Sequence, residues 1–474
     1  SDVKTAVKRK VPEFIKRSLG RIPRLPVPAP VWQLDKIDES LTPNMRALRM
    51  TMAIAEELLA MGVTARDVVH MALGITDTYC RRRVHIDVSS TLITMSQDRG
   101  TEREPLTLVR TITLKYVNYQ TIQALQNLAL LIRDTHLPLA EAEQRVEEIL
   151  ASPREYSRWV TCLAGGGVSM GVVILFNGSI LMSGLAFVMG FVATATMRIL
   201  DKWGLATFYL QIITALLITL AAGAAQWLNG WLGWQVDTTM LVISGIVLLV
   251  AGLMIVGAFQ DAIDEYYVTA NARLLRVTMA TMGIVVGVMT GLYIIQRFGI
   301  SFPTTPDRLG LAADIRAQYL GALIIAAGFA AGNHARLFGM LISGGVGVLG
   351  WWVSSTLVGS LGVVIASGAA ATVVGLMAVL VSRLWRFPSV AIIAAGIVPL
   401  VPGLSLYNGL MGVIENPPTD PEFLLSLAVL ARAIMIGVAI AIGASLGNMI
   451  GRPVRRGMVR WYNKLLRRRE IKVQ

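Results

Sequence analysis

The hydrophobic positions fall into two regimes. From Val160 onward apolar residues run in long blocks separated by short polar joints, whereas before Trp159 they recur only at helical or strand spacing. A helix that crosses a bilayer needs about twenty mostly apolar residues. On that measure the later region reads as ten spans, at 160–178, 180–200, 205–225, 239–259, 278–297, 317–333, 336–354, 357–382, 389–411 and 424–450. In the earlier region Asn44 to Met61 is periodic and stops at Gly62, and Thr64 with Asp67 reads as the cap and first turn of a second helix. VHIDVSSTLITMSQ and LTLVRTITLKYV are rich in β-branched residues and partly alternate, as strands do. Thr121–Asp134 and Leu139–Leu150 return to helical spacing.

Glycines and interruptions order the spans. Gly283, Gly287 and Gly291 in the fifth span and Gly443, Gly447 and Gly451 in the tenth share a four-residue spacing, which lets helix backbones approach closely in lipid. Upstream of the first stripe lies GAFQDAIDEYYVTANARL, and upstream of the second GIVPLVPGLSLYNGLMGV, so polar or broken segments stand at equivalent places. Five spans per half is an odd number, so the halves run with opposite orientation. The predicted fold is a polytopic α-helical membrane protein of about ten spans in a 5+5 inverted repeat, with a small N-terminal cytosolic α+β domain. The divisions are a basic, Pro-rich extension at 1–43, the α+β domain at 44–157, membrane halves at 158–300 and 301–452, and a basic tail at 453–474. Interrupted helices in matching repeats point to a transporter binding site.

Composition agrees: 54% of the 474 residues are hydrophobic and 15% charged, with a mean hydropathy of +0.60, which excludes an ordinary water-soluble protein. The net charge of +13 gathers in the two ends of the chain and in joints carrying Arg198, Lys202, Arg273, Arg276, Arg336, Arg383 and Arg386. The loops NGS, AAQWLNGWLGWQVDTT, STLVGS and ENPPTDPEF have no Lys or Arg, while the joint holding Arg297, Arg308 and Arg316 dissents. The bias puts both termini in the cytoplasm and assigns the basic excess to an anionic inner leaflet rather than to nucleic acid. The N-terminal segment, with Val3, Val7, Val11, Phe14, Ile15 and Leu19 among its basic residues, reads either as an amphipathic helix on that leaflet or as a solvated tail. Cys80 and Cys162 have no metal-ligand spacing, no GxxxxGK[ST] loop is present, and no cofactor is called for. Trp227, Trp231 and Trp234 read as an interfacial belt.

The chemistry concentrates at the two interruptions. If Asp261 to Arg276 is one helix, Asp261, Asp264, Glu265, Val268 and Ala272 share a face. Crowded carboxylates disfavour double ionisation, so one holds a proton or partners a cation, and Arg273 stands two turns from Glu265. A solvated set of membrane-edge charges is the alternative. In GIVPLVPGLSLYNGL, Pro399 and Pro402 remove backbone donors and Gly403 permits an unwound turn. Amides freed near Leu404 and Ser405 favour an anion, with Ser405, Tyr407 and Asn408 adding hydroxyl and amide groups; an architectural kink is the alternative. Acidic groups suit an ammonium and exposed amides suit a carboxylate, so together they describe a zwitterion site. His70, His85, His136 and His334 are scattered, and Asp87 beside His85 is a weak pair.

HIDVSSTLITM, followed by ten spans carrying GAFQDAIDEYYVTANAR and GIVPLVPGLSLYNG, closely resembles the threonine/serine exporter family of actinobacteria, from about Asn44 to the end of the tenth span. The resemblance implies export of L-threonine and L-serine across the cytoplasmic membrane, energised by the proton-motive force through proton antiport. It carries over Asp261, Thr269, Asn271 and Arg273 in the first half, with Asp264 and Glu265 in the same motif, and Pro402, Gly403, Tyr407 and Asn408 in the second. Asp261 and Asp264 are the proton-coupling candidates. A membrane-anchored hydrolase that feeds its product to a channel-like membrane part is the alternative, and whether the chain self-associates is left open.

Overall fold

Thr42 and Thr64 each accept a backbone N–H from the turn that follows, from Met45 and Asp67 respectively, and so start helices α1 (Pro43–Ala60) and α2 (Ala65–Tyr79). The computed structural model describes residues 42–101, 103–151, 156–233, 237–249, 252–299, 314–385 and 387–470. The basic N-terminal segment, the joint with Arg308 and the last four residues lie outside the described residues, as do the side chains of the basic C-terminal stretch, Trp234, and the side chains of Arg383, Leu404 and Tyr407. After α2 come β1 (Val84–Ser89), β2 (Leu92–Gln97) and β3 (Leu106–Thr111), an antiparallel meander with Val84 opposite Gln97 and Met95 opposite Leu108. Helices α3 (Tyr119–Thr135) and α4 (Leu139–Ala151) complete an α+β layer whose core includes the fully buried Leu48, Leu58, Ile75, Ile93, Ile122 and Leu125. The helices and the first two strands fall within a few residues of where periodicity and capping predict them, whereas the third strand stops at Thr111 and residues 112–117 of the LTLVRTITLKYV run form no strand.

The rest is helical: α5 (Arg158–Leu175), α6 (Ile180–Lys202), α7 (Thr207–Leu232), α8 (Thr238–Leu249), α9 (Gly252–Ile263), α10 (Tyr267–Arg297), α11 (Ile315–Gly332), α12 (Leu337–Trp385), α13 (Ser389–Ile397), a 3-10 turn at Val398–Leu400, α14 (Gly403–Glu415) and α15 (Pro421–Glu470). Among the described residues seven helices are long and apolar enough to cross a membrane; this is a polytopic membrane protein. The 49 residues of α12 would extend about 74 Å as one straight rod, far beyond a hydrocarbon core of about 30 Å, and the helix is broken at Gly362 (φ 75°, ψ 163°). The joint expected at 355–356 therefore lies later, because only glycine adopts that conformation without strain, and STLVGS is helical.

The glycine stripes bring α10 onto α7 and α15 onto the second half of α12. A Cβ on Gly283 would lie 2.8 Å from the Phe208 carbonyl, and one on Gly291 would lie 2.7 Å from Thr219 Cβ. On the other pair, a Cβ on Gly447 would strike the Thr372 carbonyl and sit 2.7 Å from the Leu376 nitrogen, and one on Gly451 would lie 2.8 Å from Val379 Cβ. Stripe and partner residues correspond at one constant separation of 160 positions: Gly283 with Gly443, Gly291 with Gly451, Thr219 with Val379. Helices α5 and α11 cross reciprocally: a Cβ on Gly171 would lie 3.1 Å from the Gly321 carbonyl oxygen, and one on Gly321 would lie 2.8 Å from the Gly171 carbonyl oxygen. Since neighbouring backbone cannot yield as a flexible side chain does, Gly447→Ala should destabilise the protein by about 1–3 kcal/mol. Gly345→Ala, where a Cβ meets nothing within 4 Å, should be neutral or slightly stabilising. Thermal unfolding of the two purified variants in detergent checks the contrast, and equal midpoints would refute it.

Candidate functional site

The apolar run before Asp261 does not continue as one helix to Arg276. Helix α9 ends at Ile263 and closes with Tyr266 N–H donating to the Asp261 carbonyl (2.8 Å) and Glu265 N–H to the Ala262 carbonyl (3.1 Å), with Glu265 left-handed at φ 70°. This is the Schellman ending, in which the residue past the cap takes a conformation that glycine usually fills. The shared face expected for Asp261, Asp264, Glu265, Val268 and Ala272 is thereby corrected: Val268 and Ala272 belong to α10, beyond the turn. Glu265 and Asn271 are exposed, and Arg273 pairs with Asp261 rather than with Glu265.

What the acidic turn touches is the α+β layer. The Asp261 side chain is fully buried; its Oδ1 accepts the Ala65 N–H at 3.1 Å, at the first residue of α2. A carboxylate at a helix N-terminus meets bare amides and the positive end of the dipole. Its Oδ2 lies 3.1 Å from Arg273 Nε, an ion pair at an angle that makes no hydrogen bond, and Arg273 Nη2 donates to the Val63 carbonyl at 3.0 Å. Asp264 is ion-paired with Arg66. Thr269 Oγ1 accepts the Ser90 N–H at 3.0 Å and donates to the Val88 carbonyl at 3.3 Å. Burial pushes the Asp261 carboxyl above the ordinary carboxylate range, against the opposing pull of Arg273 and the Ala65 N–H.

A second clasp, which sequence reasoning missed, lies between α11 and α12. The Asn333 carbonyl accepts the Tyr119 N–H at 3.0 Å, His334 Nδ1 accepts the Tyr156 N–H at 3.0 Å, and Tyr156 Oη donates to the Ala335 carbonyl at 2.8 Å. His334 is buried and left-handed (φ 61°). Its role as a bare helix-end residue could be guessed from GNHAR; its partner, 178 positions away, could not.

The other interruption separates α13 from α14. After the 3-10 turn, Pro402 precedes α14, and Gly403 is packed so that a Cβ would lie 3.1 Å from Val247 Cγ2, near the end of α8. Val398 and Val247 join one apolar cluster with Val168, Val172 and Ile325. Residues 245–253 read GIVLLVAGL and residues 396–404 read GIVPLVPGL, identical at seven of nine positions. The described part of α8 reaches Leu249 and that of α9 begins at Gly252; residues 250 and 251 lie outside the described residues. The structure brings Asp261, Asp264, Thr269 and Arg273 together against the α+β layer, and sets Gly403, at the start of α14, against Val247 of α8. Ser405 and Asn408 are half-buried, and Asn408 Oδ1 lacks a partner among the described residues.

Comparison with known proteins points one way. The family model described as "Putative threonine/serine exporter" matches residues 49–295, and one described as "Threonine/Serine exporter, ThrE" matches residues 318–450. The chain is 28% identical over 433 residues to the "Threonine/serine exporter" of Corynebacterium glutamicum, covering 91% of this chain and 87% of that protein. It is 28% identical over 419 residues to the "Probable threonine/serine exporter" of Mycobacterium tuberculosis, covering 87% and 78%. No solved structure matches.

Two outcomes follow from the acidic turn. Glu265→Gly relieves a left-handed, exposed side chain and should raise stability by up to about 1 kcal/mol, read as an increased thermal midpoint. The Asp261 carboxyl binds its proton more tightly when buried than when hydrated, so the grip of α9 on α2 is fully present below the ordinary value of 3.8 and is lost as pH rises through the raised value. Hydrogen exchange at residues 63–67, corrected for intrinsic rate, should show opening that grows with pH in wild type and is flat in Asp261→Asn.

Proposed function

The chain belongs to the threonine/serine exporter family, and from that premise we propose that it is a secondary transporter moving L-threonine and L-serine out across the cytoplasmic membrane in exchange for protons. Ten spans form a 5+5 inverted repeat, with both termini and the α+β layer in the cytoplasm. The observation that carries this reading is the interruption between α13 and α14, within GIVPLVPGL, whose Gly403 packs against Val247 of the matching segment GIVLLVAGL. A discontinuous helix is how membrane transporters present backbone groups to a small polar substrate. The constant 160-residue correspondence of the glycine stripes and the reciprocal Gly171–Gly321 crossing support the two-fold relation. The match of separate family models to 49–295 and 318–450 agrees with a division between the fifth and sixth spans.

In this reading the substrate carboxylate is held by the amides opening α14 at Gly403, Leu404 and Ser405, with Pro402 fixing the break and Tyr407 and Asn408 beside it. The acidic turn carries the protons: Asp261, with Asp264 next to it, is buried, paired and raised in proton affinity, and its protonation alters the contact that joins α9 to the α+β layer through Arg273 and Thr269. Glu265 and Asn271 line the exposed side of the same turn. Anionic lipid neutralises the basic ends of the chain. The family is one of exporters, and the membrane-anchored hydrolase finds no support in it.

Counterflow of labelled threonine in proteoliposomes, with and without an imposed pH gradient, tests the reading. Asp261→Asn should abolish pH-driven flux while leaving a folded, inserted protein, whereas Pro402→Ala should weaken threonine binding and keep the pH response. Gradient-driven flux of wild-type size from Asp261→Asn would remove the proton role. For topology, Thr419→Cys in a cysteine-free background should react with an impermeant reagent in intact cells; labelling confined to inverted vesicles would overturn the orientation and the inverted repeat with it.

A further inference from the structure

The α+β layer meets the membrane part along two seams that differ in kind. One buried apolar cluster runs from the layer, where it includes Val63 and Ala65, to Ile397 and Leu400 at the interruption between α13 and α14. Among the described residues α11, α12 and α13 each supply buried members of that cluster, whereas α9 supplies only Val256 and α10 none. What joins the layer to α9 and α10 is polar: the Ala65 N–H on Asp261, Arg66 with Asp264, the Val63 carbonyl on Arg273, and the β1–β2 tip, through the Ser90 N–H and the Val88 carbonyl, on Thr269. Water replaces such bonds at small net cost when a seam parts, while uncovering packed apolar surface is opposed in proportion to its area.

The covalent joint between layer and membrane part lies at the other seam. The chain enters α5 at Arg158 through Tyr156, whose N–H donates to His334 Nδ1 at 3.0 Å and whose hydroxyl donates to the Ala335 carbonyl at 2.8 Å. Beside them the Tyr119 N–H donates to the Asn333 carbonyl, and both His334 and Ala335 are buried. A body tethered and packed at one edge turns about that edge and parts along the other.

We infer that the α+β layer is the gate on its side of the membrane: it swings about the clasp at Asn333, His334 and Ala335 and lifts from α9 and α10, opening a way to the interruption for a small zwitterionic substrate. This rests on the exporter reading, which puts the layer in the cytoplasm, and deepens it by naming the part that admits substrate from that side. With the layer down, the apolar cluster fills the space between the layer and Leu400, so substrate loading needs the layer to move. The polar groups uncovered on parting, Asp261, Thr269 and Arg273, border the entry, so substrate meets them before it reaches the interruption. Lids of this kind commit a substrate by closing over it.

Two cysteine pairs in a cysteine-free full chain, reconstituted in proteoliposomes, separate the seams. Ser90→Cys with Thr269→Cys bridges the β1–β2 tip to α10, and Tyr119→Cys with Asn333→Cys bridges the layer to the clasp; each pair is joined by a short, reducible bifunctional thiol reagent. Counterflow of labelled threonine should fall to background when the first pair is joined and return on reduction, and should persist when the second pair is joined. Undiminished counterflow with the first pair joined overturns the inference, and loss with either pair joined overturns the division into a moving and a fixed seam. Should a pair be inert before joining, hydrogen exchange in the wild-type protein decides. With threonine on both sides the amides of Ala65 and Ser90 should exchange faster than without it, and those of Tyr119 and Tyr156 should not change; a response of all four, or of none, overturns the gate. Wild type that exchanges no threonine would instead sink the exporter reading on which it rests.

Discussion

A backbone interrupted inside an apolar layer has amides and carbonyls that no water can satisfy, so protein or substrate must do so. Such an interruption separates α13 from α14. Pro399 and Pro402 delete donors there, and the 3-10 turn at Val398–Leu400 shortens the gap before α14. The surrounding helices are held by backbone-to-backbone approach at glycines, α10 on α7 and α15 on α12, which fixes the frame in which the interruption sits. Close packing of this kind is what lipid permits, since apolar surface gains little by leaving hydrocarbon.

Near its C-terminal end helix α9 carries the buried Asp261 that caps α2. Under the proposed antiport, a change in the charge of Asp261 alters the hold of the α+β layer on that end of α9. The clasp at Asn333, His334 and Ala335 anchors the same layer to α11 and α12.

Local signals were legible wherever the cause was local. Thr64 and Asp67 marked the start of α2, β-branched runs marked the strands, and four-residue glycine spacing marked the packing faces. The acidic turn was not legible: nothing in DAIDEYY announces a left-handed Glu265, because the usual sign is glycine, and the partners of Asp261 and Thr269 lie 196 and 179 positions away.

The central claim is that the interruption between α13 and α14 holds the substrate. Its most direct test places one cysteine at the opening of α14, Ser405→Cys in a cysteine-free chain that retains counterflow, and measures its alkylation rate in proteoliposomes as threonine is raised. The account predicts saturable protection by threonine and serine at concentrations that also saturate counterflow, and none by valine at those concentrations. An alkylation rate that stays constant through saturating threonine, in protein that still exchanges it, would contradict the account.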